Sequence, residues 1–552
     1  SGSFLIEVYS VLLEYHDRWY NANKGKAKKG DVFERDGHLH LSLKKKKEIL
    51  TNNVYGVDID FQATEVTQLS LYLKLLENVS MNETYQMGMF KETILPNLNN
   101  NIVCGNSLIG TDIGGLFESE ETDKLKPMNY EDVFPNIMKK GGFDAIVGNP
   151  PYVFGRDWKS LGIPDDVKKY FLTNYKWSPY QLDMFSLFME RSFMLSKYGS
   201  RIGQIVPNVW LNNTYSKLTR NSLLKNAANL IIAIPPGNVF KGITVDTTVY
   251  TYCKQKNFGS KFEIRAIDYQ KLSTKTEFKV EEYLDGERPI SISIDNIGME
   301  FIYALKKDNP QLSEFADITR GVHPYRLGGF GKSAYGKGAQ VEKDLTERPY
   351  HSKVLKKGYR SFIYGKDLKR FSPVIAKEYV NYGDWLAEPR QPKYFEGERV
   401  YSRKILGDRL VVTIAKDNNV ADQQVYITKP KKEYPKAVYF AGIMGSKLIS
   451  FFVRTYYNET NDAFPQIKVG QLQSLPIRAI NVANSEDKSR HDNIVKLVEQ
   501  MLEAKQKLST AKTDGEVNRL ELLCASLDRK IDEAVYELYG LTEEEIKIVE
   551  GK

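Results

Sequence analysis

Asn149-Pro150-Pro151-Tyr152 is the stretch of this 552-residue sequence whose residue types and order fit a chemical task best. Two consecutive prolines hold the backbone extended and remove two amide donors, which leaves carbonyl acceptors free. The Asn149 side-chain oxygen and the Pro150 carbonyl can then accept from one planar amino group, while Tyr152 stacks on the ring that bears it. Two acceptors drawing on its hydrogens favour tetrahedral nitrogen and free its lone pair for an electrophile. Such chemistry needs neither a cysteine nucleophile nor a strong general base. The bare tetrapeptide is also compatible with an ordinary proline-rich loop. Its place directly after the apolar run Phe143–Gly148 favours the functional reading, because ligands of doubly wound sheets bind at the C-terminal ends of strands.

A sheet is needed to position that loop. Short apolar runs ending in polar or glycine residues, at 53–58, 143–148, 201–206 and 230–234, read as buried parallel strands. Helical patterns lie between them, as at 63–76 and 182–196. The alternation predicts a doubly wound, Rossmann-like α/β domain over residues 1–295. Two polar stretches, 21–47 and 114–140, are expected to be surface insertions, with lysines 44–47 on a solvated helix face. Residues 310–482 are short-stranded and turn-rich and predict a mixed α+β domain. From 485 to 552 the apolar residues Ile494, Leu497, Val498, Met501 and Leu508, then a second periodic run at 517–538, predict an antiparallel helical hairpin. Thr542 with Glu545 has the spacing of a capping box.

Charge is unevenly spread. The whole chain carries a formal +8, whereas residues 318–409 hold twenty Lys and Arg against ten Asp and Glu, a net of +10. That window also contains Tyr325, Gly328, Gly329, Tyr335, Tyr359 and Tyr364. Basic charge interleaved with planar groups and flexible backbone suits a nucleic-acid surface, although a solvated basic face has the same composition. A hydrophobic content of 41% excludes a disordered chain. The three cysteines, Cys104, Cys253 and Cys524, lack metal-ligand spacing, so neither a zinc site nor a disulfide framework is expected, and a reducing cytoplasm fits. For a metal-dependent nuclease centre, Pro164-Asp165 is the one plausible start and no acidic-x-Lys follows it at useful distance. No nuclease centre and no metal site are expected within these residues.

With these motifs in this order, the sequence resembles the adenine-specific (N6) DNA methyltransferases of type II restriction–modification systems. It is especially similar to the type IIG-like enzymes that join methylation and target recognition in one polypeptide, often with a nuclease. Ser1-Gly-Ser-Phe-Leu5 resembles the end of the family's glycine-rich first motif, which implies Gly2 in the cofactor loop. Val54-Tyr-Gly-Val-Asp-Ile-Asp60 resembles its acidic strand end. The match implies that Asp58 binds the ribose hydroxyls of S-adenosylmethionine and that Ile59 packs on the cofactor's adenine. Cys104-Gly-Asn-Ser-Leu108 resembles the third motif, with Asn106 at a position commonly Asp that accepts from the cofactor's adenine amino group, and the Ser107 amide beside it. The resemblance assigns methyl transfer to Asn149, Pro150, Pro151 and Tyr152, and stacking on a flipped adenine to Tyr152, Phe188 and Phe240.

Residues 206–211 and the C-terminal 531–545 also resemble segments of these enzymes. In the basic region, residues 318–322, 359–371 and 464–472 resemble the opening and closing parts of a target recognition domain. Double-stranded DNA is the implied partner, with Arg320, Arg326, Lys332, Arg360 and Lys366 as candidate contacts and His323 and Tyr325 beside them. The resemblance starts part-way through the first motif, so the sequence is expected to be part of a longer enzyme whose remainder holds the rest of the cofactor loop and, in some relatives, a nuclease. Two other readings stand beside it. One is an RNA or protein methyltransferase, since Asn-Pro-Pro-Tyr also serves those substrates, though such enzymes usually lack a long basic domain. The other is a DNA-specificity or defence-scaffold subunit with an inactive catalytic domain.

Overall fold

The computed structural model describes residues 2–28, 30–77, 79, 94–115, 123–235, 246–257, 259–268, 271–284, 288, 290, 296–457 and 466–551. The chain forms two compact units, Ser1–Arg288 and Pro289–Lys552.

In the first unit, β1 (Val32–Arg35) and β2 (His38–Leu41) form a hairpin within the 21–47 stretch. β3 (Gly56–Asp58) and β4 (Ile102–Cys104) pair in parallel as a separate two-stranded sheet. β5 (Phe143–Gly148), β6 (Ser196–Pro207), β7 (Ala227–Ile234), β8 (Thr247–Lys254), β9 (Lys261–Asp268) and β10 (Lys271–Lys279) make a mixed sheet in the order β10-β9-β7-β8-β6-β5. β5 and β6 run parallel, whereas β8 lies antiparallel between β6 and β7. The α/β character and all four expected strands are present, although the described sheet is mixed and in two pieces, and β3 and β5, each paired on one edge only among the described residues, are not buried as expected.

The helices Ser3–Ala22, Leu43–Asn53 and Phe61–Leu76 bury Tyr9, Leu50 and Leu71 in one cluster with Val54 and Ile102. Each such fully buried side chain contributes about 1.5–3 kcal/mol. Asp60 caps the third helix by accepting from the Gln62 amide at 3.0 Å, so only two residues separate the end of β3 from the helix. The expectation that 114–140 is only a surface insertion is corrected here. Met128, Tyr130 and Phe134 are buried and pack with Tyr55, Val57, Phe143 and Ile146. Tyr130 and Phe134, four residues apart, present one apolar face despite the polar surroundings.

In the second unit, β11 (Ala316–Arg320), β15 (Arg399–Arg403), β16 (Val412–Ala415) and β18 (Val425–Pro430) form an antiparallel sheet in the order β11-β18-β15-β16. A smaller sheet has the order β12-β14-β13-β17, from His351–Ser352, Glu378–Asn381, Tyr359–Ile363 and Val420–Ala421. The helices Ser485–Thr510 and Asp514–Tyr539 are joined by three residues and share one core with the first sheet, in which Ile494, Val498 and Ile531 meet Val400, Val412 and Phe440. Thr542 and Glu545 form the expected capping box of the helix Glu543–Glu550. No single helix among the described residues is long and apolar enough to cross a membrane.

Candidate active site and recognition surface

β5 delivers Asn149-Pro150-Pro151-Tyr152 at its C-terminal end. The Asn149 side chain is exposed and makes no hydrogen bond among the described residues, so its amide is available to a ligand. Pro150 is buried and Pro151 exposed. The loop beyond is anchored to the helix Met184–Leu195. The Met184 amide donates to the Val153 carbonyl at 2.9 Å, and the Gly155 amide donates to the buried Asp183 carboxylate at 2.9 Å. A Cβ on Gly155 would lie 2.9 Å from the Leu182 nitrogen, so this approach needs glycine. Tyr152 is half-buried, and burial pushes its phenol up to about 12, which keeps it protonated.

Beneath the loop, Gln204 of β6 is in register with Gly148. Its amide nitrogen donates to Ser192 Oγ at 2.9 Å, and the Tyr250 hydroxyl donates to its oxygen. Glu190, also buried, accepts from the Lys176 amide at 2.8 Å and the Trp177 amide at 2.8 Å. Burial raises its carboxyl, and those two amides pull it back.

The other end of the site is built from β3, β4 and their following turns. Asp58 is exposed, and one carboxylate oxygen accepts from the Asp60 amide at 3.0 Å, leaving the other free for a ligand. Ile59 is 51% exposed, a solvated apolar face beside that carboxylate. Asn106 is already engaged: its nitrogen donates to the Leu125 carbonyl at 3.1 Å and its oxygen accepts from the Leu108 amide at 3.0 Å. One lone pair of that oxygen remains, which is fewer acceptors than the expected role would have if the side chain were free. Arg191 Nε donates to the Ser107 carbonyl at 2.9 Å, and its guanidinium lies 5.1 Å over the Tyr130 ring. Gly2 adopts a left-handed backbone with φ 77° and stands just before the helix Ser3–Ala22.

Most of these parts line one cavity of about 1860 Å³, whose lining does not include the expected Tyr152. Gly2, Asp58, Ile59, Asn106, Ser107, Asn149, Pro150, Pro151 and Phe188 all border it, together with Gln204 and Arg191. It also runs along β3 and β5, each of which is paired on one edge only among the described residues. Phe188 is half-buried and packs against the apolar cluster that contains Leu108 and Leu187. Phe240, with the rest of 236–245, lies outside the described residues, as does Phe464. Gln204, Glu190 and Arg191 were missed from the sequence. A polar residue spaced to fall on an apolar helix face, as Glu190 and Arg191 do, is the signal that could have flagged them.

A ligand with a diol, an apolar planar ring and a hydrogen-bonding edge fits the residues at the β3 end. The free oxygen of Asp58 suits the hydroxyls, the bare Ile59 face suits the ring, and the remaining lone pair of Asn106 suits an amino group.

In the second unit, Arg320 and Arg326 are half-exposed and both reach Glu388, at 2.6 and 2.9 Å. Lys332 and Lys366 are exposed, and Lys366 Nζ lies 5.3 Å over the Tyr364 ring. Arg360 is half-buried with its guanidinium 5.0 Å over Tyr382, a packing role more than an outward one. Tyr325 is held inward: its hydroxyl bonds His351 Nδ1 at 2.9 Å and accepts from the Tyr350 amide at 2.8 Å. Burial pushes the His323 imidazole below its usual range, with Arg320, Arg326 and Arg390 adding to the effect and Glu388 opposing it.

Residues 52–240 match the family model of the Eco57I restriction-modification methylase, and residues 360–477 match the TaqI-like C-terminal specificity domain. The chain therefore carries a restriction–modification methylase domain. It joins that domain to a specificity domain in a single polypeptide. It is 32% identical over 281 residues to the type II restriction enzyme and methyltransferase RM.Eco57I of Escherichia coli, covering 50% of this chain and 26% of that protein. Identity to the putative type II restriction enzyme and methyltransferase RM.MjaORFECS2P of Methanocaldococcus jannaschii is 22%, covering 86% of this chain and 47% of that protein. The chain thus spans less than half the length of both curated relatives. The structure of the type IIL restriction-modification enzyme MmeI, solved in complex with DNA, shares the fold with a TM-score of 0.54 at 12% identity, covering 99% of this chain and 76% of that one.

Proposed function

We infer that the chain is the catalytic and recognition part of a site-specific DNA adenine-N6 methyltransferase of a restriction–modification system. The observation that carries this reading is the single cavity bordered at one end by Asp58, Ile59 and Ser107 and at the other by Asn149, Pro150 and Pro151. Residues 1–295 form the methyltransferase domain, whose parallel β3/β4 and β5/β6 pairs support a doubly wound arrangement. Residues 310–482 read the DNA sequence, and residues 485–552 brace them as a helical hairpin.

S-adenosylmethionine, when bound, supplies an electrophilic methyl group. Asp58, Ile59 and the Asn106-Ser107 turn hold it at the β3 end. The Asn149 oxygen and the Pro150 carbonyl accept from the amino group of an adenine turned out of the duplex, which localises the lone pair on nitrogen. Tyr152 and Phe188 flank the base, with Phe240 as a further stacking partner. The electron pair of the broken methyl–sulfur bond stays with the donor's sulfur, and the nitrogen gives up its extra proton to solvent water. Double-stranded DNA is the substrate, and the cytoplasm of a bacterium or archaeon is where both substrates are found. A nuclease elsewhere in the polypeptide, or in a separate subunit, is the matching partner.

Long-read sequencing that detects modified bases, applied to DNA from cells expressing the polypeptide, tests the reading. N6-methyladenine confined to one short sequence is the expected result. DNA without modified adenine in cells that accumulate the folded protein overturns it.

A further inference from the structure

Glu388 is a hub for three guanidiniums. Its Oε2 accepts from Arg320 Nη2 at 2.6 Å and from Arg390 Nη2 at 2.5 Å, and its Oε1 accepts from Arg326 Nη1 at 2.9 Å. The carboxylate side chain is 13% exposed and that of Arg390 22%, whereas Arg320 and Arg326 are 47% and 46% exposed. Burial opposes its ionisation, yet the guanidiniums of Arg390, Arg320 and Arg326 hold the Glu388 carboxyl below its usual range. The four residues carry a local charge of +2, and three like charges stay together because one carboxylate sits among them.

The backbone around the cluster is fixed. His323 and Glu388 exchange both main-chain hydrogen bonds, at 3.1 and 2.9 Å. Arg390 has a left-handed backbone, φ 61°, a conformation costly for a side-chain-bearing residue. Its Nε donates to the Arg320 carbonyl at 3.3 Å. Gly321, next to Arg320, packs so closely on the Ala421 and Asp422 carbonyls that no side chain fits. Arg326 is further held by stacking 4.2 Å over Phe330.

Resting on the functional reading above, we propose that Arg320 and Arg326 read guanine in the major groove of the target sequence, and that Glu388 and Arg390 are positioning residues that aim them. Guanidinium planes present a donor fork that matches guanine O6 and N7, and such contacts discriminate only if the fork is held in one direction. A phosphate contact gains most from a cation that no anion neutralises, and the Glu388 carboxylate beside these guanidiniums reduces that attraction. Both oxygens of Glu388 are committed to guanidiniums, so it does not itself read cytosine. Backbone strain at Arg390 persists only where surrounding contacts impose it, and here they impose the direction of the two outward arginines.

The test is the methylated sequence itself, determined for cells expressing wild type, Arg320→Ala, Arg326→Ala and Glu388→Gln of the complete polypeptide. Each arginine variant is expected to methylate sites in which one G·C pair is replaced, with discrimination at that pair reduced on the order of ten- to hundredfold. Glu388→Gln is expected to relax both positions, a change that simple loss of stability does not produce. An unchanged sequence in all three variants, whether methylation falls evenly or not at all, overturns the proposal. Absence of modified adenine in the wild-type cells instead removes the functional reading, and the two failures are told apart by that control. Because Arg320 and Arg326 are half-exposed, their variants fold even if Glu388→Gln does not.

Discussion

Arg191 Nε donates to the Ser107 carbonyl at 2.9 Å, across 84 residues of sequence. The helix Met184–Leu195, which follows the Asn149–Tyr152 loop, thereby holds the Asn106-Ser107 turn at the β3 end of the cavity. Charge-assisted hydrogen bonds of this kind contribute about 1.5–3 kcal/mol. Arg191→Met is expected to weaken S-adenosylmethionine binding about tenfold or more while the fold persists. Calorimetric titration with the cofactor checks this, and an unchanged affinity would show that the turn keeps its shape alone.

Asn149→Ala removes the acceptor that has no intramolecular partner among the described residues. Because the contact matters most as the amino nitrogen becomes tetrahedral, kcat for methyl transfer should fall about a hundredfold to a thousandfold. Cofactor binding should survive. Single-turnover transfer of a labelled methyl group separates the two effects.

Gly155→Ala puts a methyl group 2.9 Å from the Leu182 nitrogen. Relief requires the loop that follows Asn149-Pro150-Pro151-Tyr152 to leave the helix Met184–Leu195, at a cost of about 1–3 kcal/mol. A fall in Tm of about 2–4 °C per kcal/mol is expected, with a loss of methyl transfer. Gly25→Ala, where nothing lies within 4 Å, is the matched control. Equal melting of the two variants contradicts the proposed close packing.

His351 supplies a pH dependence. Burial, with Arg348 assisting and Glu378 opposing, lowers its imidazole to about 4 in the folded protein. The unfolded chain takes up that proton near pH 6.5, so stability present above pH 6.5 is lost as pH falls towards 4, by at most about 1.4 kcal/mol per pH unit. Asp422, in the same pocket, acts oppositely, because burial raises its carboxyl to about 6 and its protonation favours the fold below that pH. His351→Gln should flatten the acid limb between pH 6.5 and 4 when urea midpoints are compared with wild type. Identical profiles would mean that His351 titrates as it does in water.

Much of the catalytic half was legible because apolar runs and prolines act locally. Phe143–Gly148 is a strand whatever surrounds it, and Pro150-Pro151 dictates its own backbone. For Arg191 and Glu190 the sequence offers only a polar residue on an apolar helix, and for Gln204 no signal, because their partners are remote or are main-chain atoms that carry no residue identity. The 128–134 segment misled for a related reason. Its two aromatics are outnumbered by polar neighbours, and only the strands above them reveal that they are core. In the basic region composition singled out the window, yet Glu388 was invisible, since an acidic residue amid twenty basic ones reads as dilution until its three partners are seen converging on it.

The Glu388 cluster has a consequence for heredity. Arg320 ends β11 and Arg326 lies in the loop beyond it, and the core around Val322, Val425 and Ile427 is packed without them. Exchanging one surface cation for another side chain costs a fold little. If Arg320 and Arg326 read the target as proposed, one or two substitutions suffice for a lineage to change the word marked on its genome. With marking and reading proposed for one chain, the new word would be written from the generation in which it first appears.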